Sequence, residues 1–223
     1  MADGDAMAAQ ETDLDSRDGL PRPLRVLADR YPRDVWHAEA RLGETARFWL
    51  ARHDMFREIG GELGRMMASL RADTLGSGGF GRQLVPTLGV FLNQLNEHHH
   101  IEDRHYFPIF RAADPRLAAG FELLDRDHAT IHADLLATAD AGNALIRALA
   151  NRPHPAAAGA GPAGAAAGTG RTGAAADLAR RESDAYTAAS ERLVRRVLRH
   201  LEDEEDLIIP LLLDRGERAL GLA

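Results

Sequence analysis

A histidine followed four residues later by a glutamate and ten residues later by a proline occurs twice in the chain, as His98, Glu102 and Pro108 and again as His200, Glu204 and Pro210. On an α-helix, positions i and i+4 lie one above the other on the same face, so each repeat aims an imidazole and a carboxylate at one spot. Such pairs are natural metal ligands. The chain contains no cysteine, which excludes disulfides, thiolate zinc sites, iron–sulfur clusters and cysteine nucleophiles. Any metal must therefore be held by nitrogen and oxygen.

Helical periodicity surrounds both repeats. From Val35 to about Leu70 the apolar residues Trp36, Trp49, Leu50, Phe56, Ile59, Leu63, Met66 and Leu70 recur mostly at spacings of three and four, with Asp34 as N-cap and a bend allowed at Gly60 and Gly61. A second helix is expected over 85–106, with Pro86 in its first turn and Leu88, Phe91 and Leu95 leading into His98; Pro108 should end or kink it. A third is expected over 115–150 and a fourth over 177–206, disrupted by Pro210. No stretch alternates at period two. The expected fold is all-α, a four-helix up-and-down bundle spanning 33–214. Residues 1–32 read as an acidic, disordered tail, 153–176 as a flexible Ala/Gly/Pro linker, and 215–223 as a C-terminal tip. The glycine-rich stretch 76–81 lacks the preceding strand and the lysine of a phosphate-binding loop and reads as a turn.

Seven polar residues interrupt the apolar stripes: His53 on the first helix, His98 and Glu102 on the second, His128 and His132 on the third, and His200 and Glu204 on the fourth. Burying so many titratable groups costs several kcal/mol unless they are paired or bound to metal, so one shared inward site accounts for all of them. Two octahedral ions bridged by the two glutamates fit this set better than one ion, and nitrogen and oxygen ligands favour iron or manganese. Iron is the first choice. On the second helix His99 and Asp103 form a rival i, i+4 pair, but superposing the two prolines selects His98 and Glu102. On the fourth helix Glu205 is the rival of Glu204. His99, His100 and His154 are expected to face solvent, and His37 to lie far along its helix from His53. His105 is a candidate for contact with a ligand rather than with metal, and Asp103 and Glu205 are candidates to orient ligand imidazoles. Tyr106 and Tyr186 read as packing residues.

One histidine on the first helix, His-x-x-x-Glu on the second, His-x-x-x-His on the third and His-x-x-x-Glu on the fourth resemble the hemerythrin-like family, including its HHE cation-binding domains. The resemblance covers roughly Val35 to Asp214. It implies a non-haem di-iron centre with an oxygen bridge and an open coordination site that can bind dioxygen.

The remaining features limit partners. Residues 1–20 carry −5 of the formal net charge of −7, leaving the rest nearly neutral, and no concentrated basic face for nucleic acid exists. No run of about 18 apolar residues occurs, and the first twenty residues lack a signal-peptide pattern, so a cytoplasmic protein without a membrane segment is expected. No substrate-binding motif is visible. The expected function is binding of dioxygen or another small diatomic or peroxide ligand, or sensing of oxygen or iron. The alternatives are a di-iron enzyme that reduces nitric oxide or decomposes peroxide, and iron storage or delivery for iron–sulfur cluster repair.

Overall fold

The structure is a computed structural model that describes residues 12–36, 38, 40, 42–72, 77–151 and 165–222. Residues 1–11, the first half of the Ala/Gly/Pro stretch (153–164), His37 and His154 lie outside the described residues; the second half of that stretch, expected as flexible linker, is instead the start of the last helix, which begins at Ala165 rather than at 177. The described chain is all-helical: α1 (Arg33–Trp36), α2 (Glu44–Arg71), α3 (Ser77–Ile101), a π turn (Glu102–Tyr106), α4 (Phe107–Ala113), α5 (Ala118–Ala150) and α6 (Ala165–Arg215). α2 packs on α3 and α6, and α5 packs on α3 and α6. Among the described residues no helix is long and apolar enough to cross a membrane.

The inward stripes explain the packing. α3 buries Phe80, Leu84, Leu88, Phe91 and Leu95 at helical spacing, and α2 buries Trp49, Phe56, Leu63 and Met66. These side chains divide into two apolar cores. One gathers Phe56, Leu63, Phe91, Leu95, Ile131, Leu193 and Val197; the other gathers Ala46, Trp49, Phe107, Phe110, Phe121 and Leu207. In sequence, His53 falls between Trp49 and Phe56, His98 and Glu102 between Leu95 and Phe107, His128 between Leu124 and Ile131, and His200 and Glu204 between Val197 and Leu207. The polar residues thus form one layer between two dry ones.

Several boundaries differ from expectation. The first helix is broken: α1 is a single turn, and α2 starts only after Gly43. There the Glu217 carboxylate accepts from the backbone N–H of Thr45 (3.1 Å) and Ala46 (2.9 Å), supplying the acceptors that a helix start lacks. A Cβ at position 43 would sit 2.2 Å from Glu217 Cδ, so only glycine admits this cap. The C-terminal tip is therefore part of the packed body. Gly60 produces no break, and it lets Val194 approach to 3.3 Å of where a Cβ would stand. Because α3 begins at Ser77, the described part of the glycine-rich stretch is helical and Pro86 lies inside the helix.

Both repeat prolines are absorbed rather than terminating. Pro108 has no N–H and its ring would crowd the carbonyl of residue 104 in a regular α-helix. The π turn just before it widens the backbone, with the Phe107 N–H reaching back five residues to the Glu102 carbonyl, and the helix resumes as α4. Pro210 sits inside α6, which continues to Arg215 because Leu207 to Leu213 are buried all round and the packing outweighs one missing hydrogen bond.

The cover over that stretch is the N-terminal segment, expected to be disordered. Leu14, Leu20, Leu27, Tyr31 and Trp36 are buried, and a row of ion pairs ties the segment to α6: Arg17 to Asp203 (2.7 Å), Arg33 to Glu205 (2.6 Å) and Asp206 (2.7 Å), and Arg30 to Asp214 (2.7 Å).

Candidate metal centre

Two groups of ligand atoms meet in the polar layer. His53, His98, Glu102 and Glu204 form one, and His99, His128 and His200 form the other, with the ligand atoms of each group within 4.8 Å of one another. The glutamates join the two. Glu102 Oε1 is 2.9 Å from His98 Nε2, while its Oε2 is 3.6 Å from His128 Nε2. Glu204 Oε2 is 3.6 Å from His53 Nε2 and 3.3 Å from His200 Nε2. Each carboxylate therefore reaches an imidazole of both groups.

Six of the seven residues singled out from the sequence come together here: His53, His98, Glu102, His128, His200 and Glu204. The exception is His132, whose side chain is exposed and lies outside both groups. A step of four residues along an α-helix turns about 40° past a full revolution. That rotation carries His132 out of the layer while His128 stays 5 % exposed. The place expected for His132 is taken by His99, which is 5 % exposed rather than solvent-facing and stacks on His128 with ring centroids 4.0 Å apart. Neighbouring residues on a helix diverge by about 100°. Since α3 lies between α2 and α5, His98 turns toward His53 and His99 toward His128. His100 and His105 are exposed, and Tyr186 is buried against Gly142, among the first core's residues. Tyr106 packs edge-on against Trp49 (4.8 Å), whose indole N–H donates to Glu204 Oε1 (2.8 Å).

A second ring of carboxylates holds the imidazoles. His53 Nδ1 lies 2.9 Å from Glu205, His128 Nδ1 2.7 Å from Asp103, and His200 Nδ1 3.3 Å from Asp127. Each carboxylate accepts the Nδ1–H, which leaves Nε2 with its lone pair directed at the centre, the arrangement common around ligating histidines. Glu205 thus stands behind His53 while Glu204 faces the cluster. The Nε2 atoms then confront each other in pairs, His53 with His98 at 3.2 Å and His128 with His200 at 3.1 Å. Two lone pairs repel at that distance unless a proton or a cation lies between them. Nitrogens about 2.1 Å from a common ion and at right angles to each other stand about 3 Å apart.

The electrostatics of the cluster are those of crowded, buried ligand groups. Burial pushes the Glu102 carboxyl well above its ordinary range, and the neighbouring Glu204 charge pushes it further. Burial also holds His98, His99 and His128 below the ordinary imidazole value. Burial opposes charge on His200 too, but the carboxylates of Asp127 and Glu204 outweigh it and raise the imidazole to about 9. Glu204 is lowered despite its burial by His53 and His200, and Glu205 is lowered to about 2 by His53, Arg33 and Arg57. Among the described residues eight buried side-chain atoms have no hydrogen-bond partner, and four of them are both oxygens of Glu102, Glu204 Oε2 and His99 Nε2. All four belong to the cluster, and orphaned buried groups of this kind are costly. A cation is the partner that would satisfy imidazole lone pairs and carboxylate oxygens together, so the residues present fit a metal site.

No curated protein and no solved structure matches the chain. The family model for the hemerythrin HHE cation binding domain matches residues 45–158, which include His53, His98, His99, Glu102 and His128 but stop short of His200 and Glu204. That match spans just over half of the chain, and the protein belongs to the hemerythrin HHE cation-binding family.

Proposed function

We propose that the centre holds two iron ions, and that the protein uses them to bind dioxygen or to sense oxygen or iron. The observation that carries this reading is the reach of Glu102 and Glu204 to imidazoles of both groups. In this reading His53 and His98 hold one ion, His99, His128 and His200 the other, and the two glutamates bridge them. The four long helices are taken as an up-and-down bundle around the pair. Iron so held supplies electron exchange with a small oxidant. The chain's own residues do the rest. Glu205, Asp103 and Asp127 keep each Nδ1 protonated and each Nε2 free, Trp49 fixes Glu204 by its donated hydrogen bond, and the apolar cores above and below exclude water and bulky molecules.

Anaerobic reconstitution of the metal-free protein with ferrous iron should load about two ions per chain, and admission of oxygen should then produce new near-ultraviolet absorption. Uptake of a single ion, or a preference for zinc, would sink the proposal.

Loading should also depend on pH. A cation at the three-histidine group must displace the proton that His200 keeps up to about pH 9, and ionise the Glu102 carboxyl. His200 is protonated in the metal-free protein near neutrality and must lose that proton on loading, and the raised Glu102 carboxyl must be ionised, so affinity rises with pH. From pH 6.5 to 8 the apparent affinity for ferrous iron should increase by about tenfold per pH unit for each proton displaced. Chelator-competition titrations would check this; an affinity that stays flat across that window contradicts it.

A further inference from the structure

The ring of carboxylates behind the imidazoles is not uniform. Asp127 is buried and clamped by the buried Arg17, and Glu205 is buried and clamped by Arg33 and Arg57. Asp103 has a side chain 44 % exposed and pairs with His128 alone among the described residues. Beside it, in the groove between α3 and α5, opens a cavity of about 300 Å³ lined in part by His99, Asp103, Asp125, His128, Ala129 and His132. The buried wall of that cavity carries the stacked His99 and His128, and the orphaned Nε2 belongs to His99. Its outer part carries the exposed His132, which has no hydrogen-bond or ion-pair partner among the described residues, and Asp125, which is paired with Arg111. Away from the groove, His53, His200 and Glu204 have no exposed surface, Trp49, Phe56 and Phe107 pack against the cluster, and His98 is partly exposed but does not line the cavity. Two other cavities, one beside Arg104 and His105 and one beside Leu70 and Arg180, are lined by no residue of the cluster.

We propose that this groove is the port through which divalent cations enter the centre, with His132 and Asp103 as the side chains that capture the cation before it passes to His99 and His128. The proposal rests on the cation-site reading above and adds the route and two residues outside the ligand set. A lone, exposed imidazole and an exposed carboxylate offer the nitrogen and oxygen donors a ferrous ion accepts, but at the surface they hold it only transiently. The exposed Asp103 carboxylate in a partly walled groove attracts cations and raises their arrival rate. His132 at the rim and the stacked, buried His99 and His128 on the wall offer the cation imidazole nitrogens at both ends of the path.

The test is the rate of loading, separated from its extent. Full-length metal-free protein is mixed anaerobically with ferrous iron in a stopped-flow instrument, and uptake is followed by competition with a chromogenic ferrous chelator. Replacing the exposed Ala129 by tryptophan should obstruct the groove and slow loading by at least about tenfold, and His132→Ala should slow it severalfold, both with the final iron content unchanged. His132→Glu, which restores a donor of the same use, should load nearly as fast as the unaltered chain. Unaltered rates in both Ala129→Trp and His132→Ala would overturn the port. A lower final iron content in His132→Ala would also overturn it, because His132 would then be a permanent ligand. An unaltered chain that takes up no iron at all would instead overturn the cation-site reading, and the port with it.

Discussion

His99→Ala should lose about half of the bound cation, while His132→Ala should keep all of it. The difference follows from placement. His99 has an orphaned ring nitrogen within 4.8 Å of the ligand atoms of His128 and His200, whereas His132 stands at the surface. Removing His99 takes one of three imidazoles from that group, so its ion is held more weakly than in the unaltered chain and should be the one lost on dialysis against a chelator. The second group, His53 and His98 with the glutamates, keeps its set. The effect should also appear in stability: a ligand at about a thousand times its dissociation constant stabilises the folded state by about 4 kcal/mol, so the gain on loading should shrink by about that amount in His99→Ala. In the metal-free state the same substitution removes an unsatisfied buried nitrogen as well as a stacked ring, so it should cost far less there. Metal analysis beside calorimetry of loaded and metal-free protein separates the two contributions. Full metal content in His99→Ala, or a loss in His132→Ala, would restore His132 to the ligand set.

This pair of histidines also shows where reading the sequence stops. The repeat placed His98 with Glu102 and His200 with Glu204 because i, i+4 geometry is local and holds on any helix. Which helix lies on either side of another is not local. His99 enters the centre only because α3 is flanked by α2 on one side and α5 on the other, so adjacent residues can serve different partners. The proline at position 108 likewise has its effect decided by tertiary packing: Phe107 and Phe110 are fully buried in the second core, which holds the chain helical beyond a π turn. A signal for the N-terminal cover was present, though. Leu207 to Leu213 read as apolar on every face, and a helix of that kind must be surrounded. With α2 to α5 arranged on its inner side, the outer side needed another segment, and the apolar residues Leu20, Leu27 and Tyr31 that cover it recur in the stretch ahead of α1. High charge masked that pattern, because the charges of the segment are used in pairing with α6 rather than in solvation.

Arg17→Ala should therefore destabilise the metal-free fold by about 3–5 kcal/mol, the cost of leaving buried carboxylates without their cation. The Arg17 side chain is 1 % exposed and lies between two acids that are nearly as buried. Its Nε donates to Asp203 at 2.7 Å, Nη1 to Asp127 at 3.0 Å and to the Thr12 carbonyl at 3.1 Å, and Nη2 to the other oxygen of Asp127. Burial works against the charge on both Arg17 and Asp127, and their pairing, with His200 on the far side of Asp127, restores it. Without the guanidinium, Asp203 keeps only Arg199, and Asp127 keeps only His200. For a chain of this size such a loss should lower the melting temperature by about 10 °C. Asp15→Ala, which breaks a half-exposed pair with Arg196 a few residues away, should cost less than about 1 kcal/mol. Urea denaturation of the two variants measures both values on one scale. If Arg17→Ala costs no more than Asp15→Ala, residues 12–20 do not dock as described. Charge can be separated from packing with Arg17→Met combined with Asp203→Asn, which removes the cation and one of its two acids while keeping similar volume. That pair should recover part of the loss, because the penalty arises from an unpaired buried carboxylate rather than from a missing contact.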